Sequence, residues 1–264
     1  MRATGKSTSG KDYQFIPRTI SAMAKEFRDG EGSGLHSHPR AQLLYCVSGI
    51  MEVAAGRSVW IVPPQRAVWL PPDVSHEMWC RGAVSMRTVY VRPDAVPSDF
   101  PASPAIVRVS ALLRELILRA VEMPYLYDEA GHGGLIAQLM LKEFAWESGS
   151  LLEMQRPVDK RLDHIWAQLL NRPANNLTLE QWAQKLNVSS KTLARLIRAE
   201  TGASFTCWRQ QIRLLSALPR LAAGTPIIEV ALDVGYDTPG AFSAMFRRFT
   251  GMTPRAYFRT MQQP

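Results

Sequence analysis

The sequence predicts a multi-domain protein, with a β-barrel and a helical hairpin in its N-terminal half and an all-α domain in its C-terminal half. Three observations support this fold class. Short β-rich runs separated by glycine and proline fill residues 15–91, and two one-sided helical patterns follow in 105–148. A pattern of helix, tight turn and helix then occurs twice between residues 178 and 251. An internal repeat of this kind constrains the fold more strongly than any single segment.

The charge distribution indicates a polyanionic partner for the C-terminal half. The chain has a formal net charge of +8, and residues 159–264 hold 14 Lys and Arg against 7 Asp and Glu, a net charge of +7. A basic excess confined to one half suits nucleic acid and argues against a generally basic membrane-surface protein. Three cysteines without CxxC spacing indicate a reducing compartment. Since no apolar run approaches 18 residues, we expect a cytoplasmic protein without a membrane partner.

The N-terminal half begins with a polar segment and continues as a β-rich domain. Residues 1–11 are small, polar and basic, so we expect a disordered tail there. Residues 12–104 carry the β-rich runs, and glycines and prolines interrupt them at intervals of roughly 8–12 residues. This spacing predicts a barrel or a sandwich for 12–104.

Three of the five histidines lie in this β-rich region and predict a shared site. His36 and His38 are separated by one residue, so on a strand both side chains point to the same face. His76 from a neighbouring strand would add a third imidazole, and Gln42 an amide oxygen. Such a donor set suits Fe, Mn, Co, Ni or Zn. The same four side chains also suit a hydrogen-bonded pocket without metal.

The spacing of these residues resembles that of the cupin barrel. Two stretches carry the resemblance: Gly30-x5-His36-x-His38-x3-Gln42-x6-Gly49 and Pro71-Pro72-Asp73-Val74-Ser75-His76. The chain departs from the cupin pattern in three places, because the usual Glu, Gly and Asn are here Gln42, Asp73 and Cys80. The resemblance implies either a divalent transition metal at His36, His38, Gln42 and His76, or a metal-free effector pocket lined by them. Four aromatic residues would wall that pocket or form barrel core: Tyr45, Trp60, Trp69 and Trp79.

Residues 105–148 predict a helical hairpin whose two helices each have one apolar face. Apolar residues recur at i, i+3, i+4 and i+7, which is typical of a helix that buries one side. These residues are Leu113, Leu116, Ile117, Ala120 and Val121, then Leu135, Ile136, Leu139, Met140 and Phe144. The hairpin would either pack on the barrel or form the seam of a homodimer, and we favour the seam. Residues 149–158 are the expected linker.

Residues 159–264 predict a domain with two helix-turn-helix units, at 178–202 and 226–251. In the first unit Thr178 and Gln181 form a capping box, and Asn187 occupies the turn. In the second unit Gly235 occupies the turn and Thr238 caps the following helix. The helix that joins the units contains Pro219, so we expect a kink or an early end near Ala217.

The second helix of each unit predicts a DNA-contacting face. An amphipathic helix with a basic outer face, placed after a short turn, is typical of a recognition helix in the major groove. The candidate residues are Ser190, Lys191, Ala194, Arg195 and Arg198 in the first unit and Gly240, Ser243, Ala244, Arg247 and Arg248 in the second. The alternative is a pair of ordinary helical hairpins with solvated charges, which two matching copies make the weaker interpretation.

Residues 178–258 resemble the DNA-binding domain of AraC/XylS-type transcription regulators. The resemblance is carried by Ala183…Asn187-Val188-Ser189, Thr201-Gly202, Arg213-Leu214-Leu215…Ala217, Val230–Tyr236, Phe242…Phe246-Arg247-Arg248 and Thr253-Pro254…Tyr257. It covers about a third of the chain and implies base contacts at Lys191, Ala194, Arg195, Gly240, Ser243 and Ala244.

The resemblance also implies a function for the whole chain. We expect a sequence-specific regulator that binds double-stranded DNA, responds to a small-molecule effector in the cupin-like domain and forms a homodimer, with RNA polymerase as a candidate partner. The alternative is a metal-dependent cupin oxygenase or isomerase fused to a DNA-binding domain. An enzyme would be expected to keep the carboxylate that Gln42 replaces.

Overall fold

A computed structural model describes residues 6–147 and 153–262, and these residues form two compact units. The first unit contains the described residues before Arg57 and those from Val62 to 147. The second unit contains Arg57–Ile61 together with 153–262. In the described part of the chain, no helix is both long enough and apolar enough to span a bilayer.

The first unit is built on an antiparallel sheet, as the β-rich runs predict. Its strands follow the order β1-β5-β2-β4-β6-β7. They are β1 (Ile20–Phe27), β2 (Ala41–Ala55), β4 (Arg66–Leu70), β5 (Glu77–Val91), β6 (Ala105–Arg108) and β7 (Ala145–Glu147). The long strands β2 and β5 continue through Gly49 and Gly82, where an interruption was expected, because a glycine can bend a strand without ending it.

Side chains of this sheet alternate between two different environments. Leu43 and Tyr45 of β2 and Val89 of β5 belong to the hydrophobic core on one face. Gln42 and Tyr90, which are paired across β2 and β5, face a cavity on the other side. The alternation with period two therefore gives one sheet both a packed face and a cavity-lining face.

The hydrophobic core on the packed face is completed by two helices, α1 (Ala111–Glu122) and α2 (His132–Lys142). This corrects the prediction for 105–148, since β6 and β7 at its two ends are strands of the sheet. The apolar faces of the helices pack against the sheet, so most of the predicted dimer seam is occupied. Leu135 and Leu139 remain 64% and 43% exposed.

Two predicted irregular segments also need correction. The expected disordered tail 1–11 ends in a 3₁₀ helix (Gly10–Tyr13), and Lys6 Nζ donates to the Val121 carbonyl at 2.8 Å; residues 1–5 lie outside the described residues. In the expected linker 149–158, strand β8 (Glu153–Gln155) pairs with β3 (Ser58–Val62) in the second unit. The linker's first residues, up to 152, also lie outside the described part.

The rest of the second unit is helical and matches the predicted plan. Its helices are α3 (Lys160–Asn171), α4 (Leu179–Lys185), α5 (Ser190–Thr201), α6 (Phe205–Ala222), α7 (Ile227–Asp233), α8 (Pro239–Thr250) and α9 (Pro254–Gln262). The capping box of Thr178 and Gln181 is present at the start of α4. The expected end near Ala217 is wrong, because α6 continues through Pro219 to Ala222. Pro219 lies in the last turn, so a single missing N–H does not end the helix there.

Candidate nucleic-acid interface and ligand cavity

Helix α5 presents a basic face to solvent. Ser189 caps the helix by accepting from the Thr192 amide at 3.1 Å, and Leu193 and Ile197 are buried. The predicted contact residues lie on the other side of the helix. Lys191, Arg195 and Arg198 are exposed, and Ser190 and Ala194 are half-buried. The helix is thus fixed by its apolar face and leaves three cations free to meet a partner.

Helix α8 has the same arrangement with different chemistry. Thr238 Oγ1 accepts from the Ala241 amide at 3.2 Å, and Phe242 and Phe246 are fully buried. Of the predicted contact residues, Gly240, Ala244, Arg247 and Arg248 are exposed, and Ser243 is half-buried. The first two turns therefore expose small residues, and the cations lie at the far end of the helix.

The cations on these faces differ from four arginines elsewhere in the second unit. Arg57, Arg156, Arg161 and Arg220 each form an ion pair with a carboxylate. Among the described residues, no carboxylate pairs with the basic side chains of the α5 and α8 faces: Lys191, Arg195, Arg198, Arg247 and Arg248. Arg248 donates instead to the neutral Gln210 side chain and lies over the Phe249 ring, 4.8 Å from its centroid. These five cations are therefore available to an anionic partner.

Arg213 is a structural residue of this interface to which the sequence analysis gave no role. It is 5% exposed, and its guanidinium donates to the Pro173 carbonyl at 2.9 Å and to the Gly235 carbonyl at 3.2 Å. It also donates to Asn176 Oδ1 at 2.7 Å. The turn before α8 is thereby tied to the segment before α4. Its position in the middle of an amphipathic helix, where a charge interrupts an apolar face, was the available signal.

The first unit contains a cavity of about 720 Å³ on the open face of its sheet. This volume is in the range of small-molecule sites. His36, His38, Gln42 and His76 all line it, so the structure brings together the four residues of the predicted site. Of the two alternatives for the four aromatic residues, the core is the one observed: Tyr45, Trp60 and Trp69 are buried core, Trp79 is 37% exposed, and none of the four lines the cavity.

The three histidines converge on one point of the cavity. A ring nitrogen of each lies within 4.8 Å of those of the other two. In each ring Nδ1 contacts a backbone carbonyl: Gly34 for His36 at 2.9 Å, Arg40 for His38 at 2.7 Å, and Val74 for His76 at 2.8 Å. A carbonyl needs a donor, so the proton sits on Nδ1 and the Nε2 lone pairs remain available. Histidines that bind a metal typically donate their other ring N–H to a carbonyl or carboxylate in this way.

Burial lowers the pKa of His76 to about 4, and repulsion from His36 and His38 acts in the same direction. The backbone carbonyl of Val74 opposes this shift in pKa but does not reverse it. His76 is therefore neutral at pH 7. Neutral imidazole is the form that can donate its lone pair to a metal ion.

The hydrogen bonds around Gln42 show whether this donor set fits a cation. Thr88 Oγ1 donates to the Leu43 carbonyl at 3.1 Å and accepts from Gln42 Nε2 at 2.9 Å. This network assigns the amide orientation and points Gln42 Oε1 at His38 Nε2, 3.0 Å away. Both atoms carry lone pairs when His38 is neutral, since its proton is on Nδ1. A cation between them would convert repulsion into attraction, so the residues fit a metal ion. Thr88, which orients Gln42, was missed from the sequence.

Comparison with known protein families agrees with both halves of the site. A model described as "AraC-like ligand binding domain" matches residues 26–186, and one described as "Helix-turn-helix domain" matches 182–260. The first match spans more than half of the chain and contains His36, His38, Gln42 and His76. The second contains both α5 and α8.

Several curated transcription regulators are similar to the chain. The HTH-type transcriptional regulator NimR of Escherichia coli is 31% identical over 85% of this chain and 82% of its own length. The arabinose operon regulatory protein of the same species is 26% identical over 75% of this chain and 62% of its own. Among solved structures, ToxT of Vibrio cholerae covers 93% of this chain and 100% of its own at 9% identity. Its TM-score of 0.39 is too low to support an argument about this chain.

Proposed function

The chain belongs to the AraC family of transcription regulators, and on this premise we propose that it recognises its operator through the outer faces of α5 and α8. Lys191 and Arg195 would donate to guanine edges in the major groove. Gly240, Ser243 and Ala244 would allow close approach and methyl contacts. The observation that supports this proposal is that both helices bury an apolar side and expose the opposite face, whose five cations have no carboxylate partner among the described residues.

Binding-site selection from random DNA, followed by mapping of bound sites in the genome, tests the proposal. We expect one motif with two conserved blocks, one for each recognition helix. The block read by α5 should be richer in guanine, because arginine and lysine pair best with guanine O6 and N7. Selection that returns no motif, or a motif unchanged when both faces carry alanine, would contradict the assignment.

We also propose that His36, His38, Gln42 and His76 hold a divalent transition metal within the sensor cavity. The convergence of the three imidazoles and the facing lone pairs of His38 and Gln42 support this proposal. When bound, such an ion supplies a Lewis-acidic anchor for an oxygen or nitrogen atom of the effector. The residues themselves orient the donors, through the three Nδ1 contacts and the Thr88 bond.

Metal content and melting temperature of protein purified without a histidine tag test the metal proposal. We expect Zn, Mn, Ni or Fe to raise the melting temperature and a chelator to lower it. At a metal concentration a hundredfold above Kd, binding should add about 2.7 kcal/mol to the free energy of unfolding. His76→Gln should abolish the shift, whereas His132→Gln, an exposed histidine on α2, should retain it. A metal-free protein that ignores all four ions would leave the cavity as a metal-free effector site.

The remaining expectations follow from the family and stand as proposals. We infer that the chain acts in the cytoplasm as a regulator and not as an enzyme, because an amide replaces the carboxylate of the cupin pattern at Gln42. We also infer a homodimer and contact with RNA polymerase. For the dimer, the exposed Leu135 and Leu139 of α2 offer a smaller surface than the sequence predicts. Sedimentation of Leu135→Lys together with Leu139→Lys tests this surface, and an unchanged mass would contradict it.

A further inference from the structure

The walls of the sensor cavity carry positive charge without any carboxylate. Among the described residues that line the cavity there are two lysines, Lys11 and Lys25, and three histidines, but no Asp or Glu. The remaining lining is apolar or neutral. A cavity lined by one sign of charge concentrates counter-charged solutes. Away from the histidine cluster, the two lysines therefore favour an organic anion over an organic cation.

Lys25 is the lysine that the fold directs into this cavity. It lies on β1 between Met23 and Phe27, and all three residues line the cavity, as alternation along a strand requires. Its neighbour Glu26 belongs to the opposite face and forms an ion pair with Arg87 at 3.0 Å. The two neighbouring charges therefore differ in their surroundings: Glu26 is paired with Arg87, and Lys25 lines the cavity.

The ammonium group of Lys25 has no carboxylate partner in the described part of the chain. Its Nζ lies 4.6 Å from the centroid of the Phe27 ring, and the side chain is half-buried. A cation that has lost part of its hydration is stabilised by an anion within hydrogen-bond distance, and charge-assisted bonds of this kind are among the strongest in proteins. A ligand carboxylate would supply the missing partner.

The strand register places apolar side chains between Lys25 and the histidine end of the cavity. Gln42 is level with Tyr90, whereas Lys25 is level with Met86, four residues away along β5. At roughly 3.3 Å per residue this separation is about 13 Å. Met23 and Leu44 lie between these two levels, since both pair with Thr88. Methionine and leucine walls fit an apolar body of adaptable shape.

We propose that the effector is a small organic anion with an apolar body, and that Lys25 binds its carboxylate. The proposal rests on the proposed function only in taking this cavity as the effector site. The apolar body lies along Met23, Leu44 and Met86, and the carboxylate lies at the β1 side of the cavity.

Calorimetric titration of the full-length protein, without DNA, tests the proposal with pairs of probes that differ only in charge. The pairs are 3-phenylpropionate with 3-phenylpropanamide, and hexanoate with hexanamide. We expect at least one carboxylate to bind about tenfold more tightly than its amide, as loss of a charge-assisted bond implies. Lys25→Met should remove this preference and Lys25→Arg should keep it. Lys142→Met, which removes an exposed lysine of α2 outside the cavity, should leave binding unchanged.

Three outcomes would overturn the proposal. They are equal binding of each carboxylate and its amide, an undiminished preference in Lys25→Met, and no binding of any probe at millimolar concentration. The melting temperature of Lys25→Met is measured beside the titration, to show whether this variant folds. If Lys25→Met does not fold, Lys25→Arg becomes the informative variant. Loss of the preference for the carboxylate in Lys25→Arg would then contradict the assignment. Because the titration contains no DNA, its failure is separate from a failure of operator recognition.

Discussion

The two helix-turn-helix units share one backbone plan and differ in the side chains placed on it. The first helix has 7 residues and the second 12 in both units. Ala183 and Ala231, at equivalent positions of the first helices, are both buried. The outer faces differ, since α5 presents Lys191 and Arg195 where α8 presents small residues. Local sequence signals therefore produce the same backbone in both units, whereas the side chains on the outer faces differ between them.

The turns of the two units also differ in what surrounds them. Asn187 and Gly235 both have positive φ, at 52° and 83°. Asn187 is exposed, whereas a Cβ at Gly235 would lie 2.6 Å from Arg213 Nη2 and 2.8 Å from the Ala174 Cα. The second turn is therefore packed against the body of the domain, and the first is free at its surface.

The largest expected effect comes from a methyl group in the packed turn. Gly235→Ala combines a left-handed alanine, at about 1–2 kcal/mol, with displacement of the Arg213 guanidinium from its carbonyl partners. We expect the free energy of unfolding of the DNA-binding domain to fall by about 2–4 kcal/mol. Urea unfolding followed by circular dichroism measures this change.

Gly251→Ala is the matched control for that substitution. Gly251 has nearly the same φ, 82°, but a Cβ there meets nothing within 4 Å. Its cost should be limited to backbone strain, at about 1 kcal/mol. Equal losses for Gly235→Ala and Gly251→Ala would show that packing against Arg213 does not distinguish the two turns.

The second largest effect concerns the outer face of α5 and not the backbone that the two units share. Arg195→Ala should lower specific DNA affinity by about 1–3 kcal/mol and relax the preference at one or two base pairs, because a bidentate guanine contact is lost. Lys160→Ala removes an equal charge from an exposed site on α3 and should leave the motif unchanged. Selection on each variant separates these outcomes, and a full-strength wild-type motif for Arg195→Ala would exclude a base contact.

The DNA-binding half was predictable because its signals are local. A cap and the amide that it accepts from are three residues apart, as in Ser189 with Thr192 and Thr238 with Ala241. Such pairs are visible in the sequence without knowledge of the fold. The contacts that were missed join distant segments. Arg213 bonds to residues 22 and 40 positions away, and no periodicity encodes those partners.

The sequence predicted the β-rich fold class of the sensor half, but it predicted fewer of the contacts within it. The cavity contains His36, His38 and His76 as predicted, but the expected strand positions are wrong, because all three lie in the segments just before β2 and β5. The partner of Gln42 is Thr88, 46 residues away, and depends on the pairing of β2 with β5. The hairpin shows the same limit, because an apolar helix face has the same pattern whether a sheet or a second subunit covers it.

The third effect separates two adjacent arginines at the end of α8. Arg247 is exposed, whereas Arg248 is already bonded to Gln210. If both contact phosphate, each alanine variant should reduce the slope of log K against log salt by about 0.9, equally for specific and random DNA. Binding titrations across a salt series measure the slope. A change for Arg247→Ala alone would assign Arg248 to the packing of α8 on α6, and no change for either would remove both from the interface.

The smallest effect tests why the first turn uses asparagine where the second uses glycine. Asn187 has φ of 52° and is exposed, so its side chain meets no packing limit. Asn187→Gly relieves a small backbone strain in the left-handed region. It also raises the conformational entropy of the unfolded chain, which lowers the free energy of unfolding by about 0.4–1 kcal/mol. These terms oppose each other, so the free energy of unfolding should change by less than about 1 kcal/mol. Asn187→Ala has no compensating term and should cost about 1 kcal/mol. Urea unfolding of the three proteins gives the order: if Asn187→Gly were the more destabilising of the two variants, the asparagine side chain would have a structural role that its exposure does not indicate.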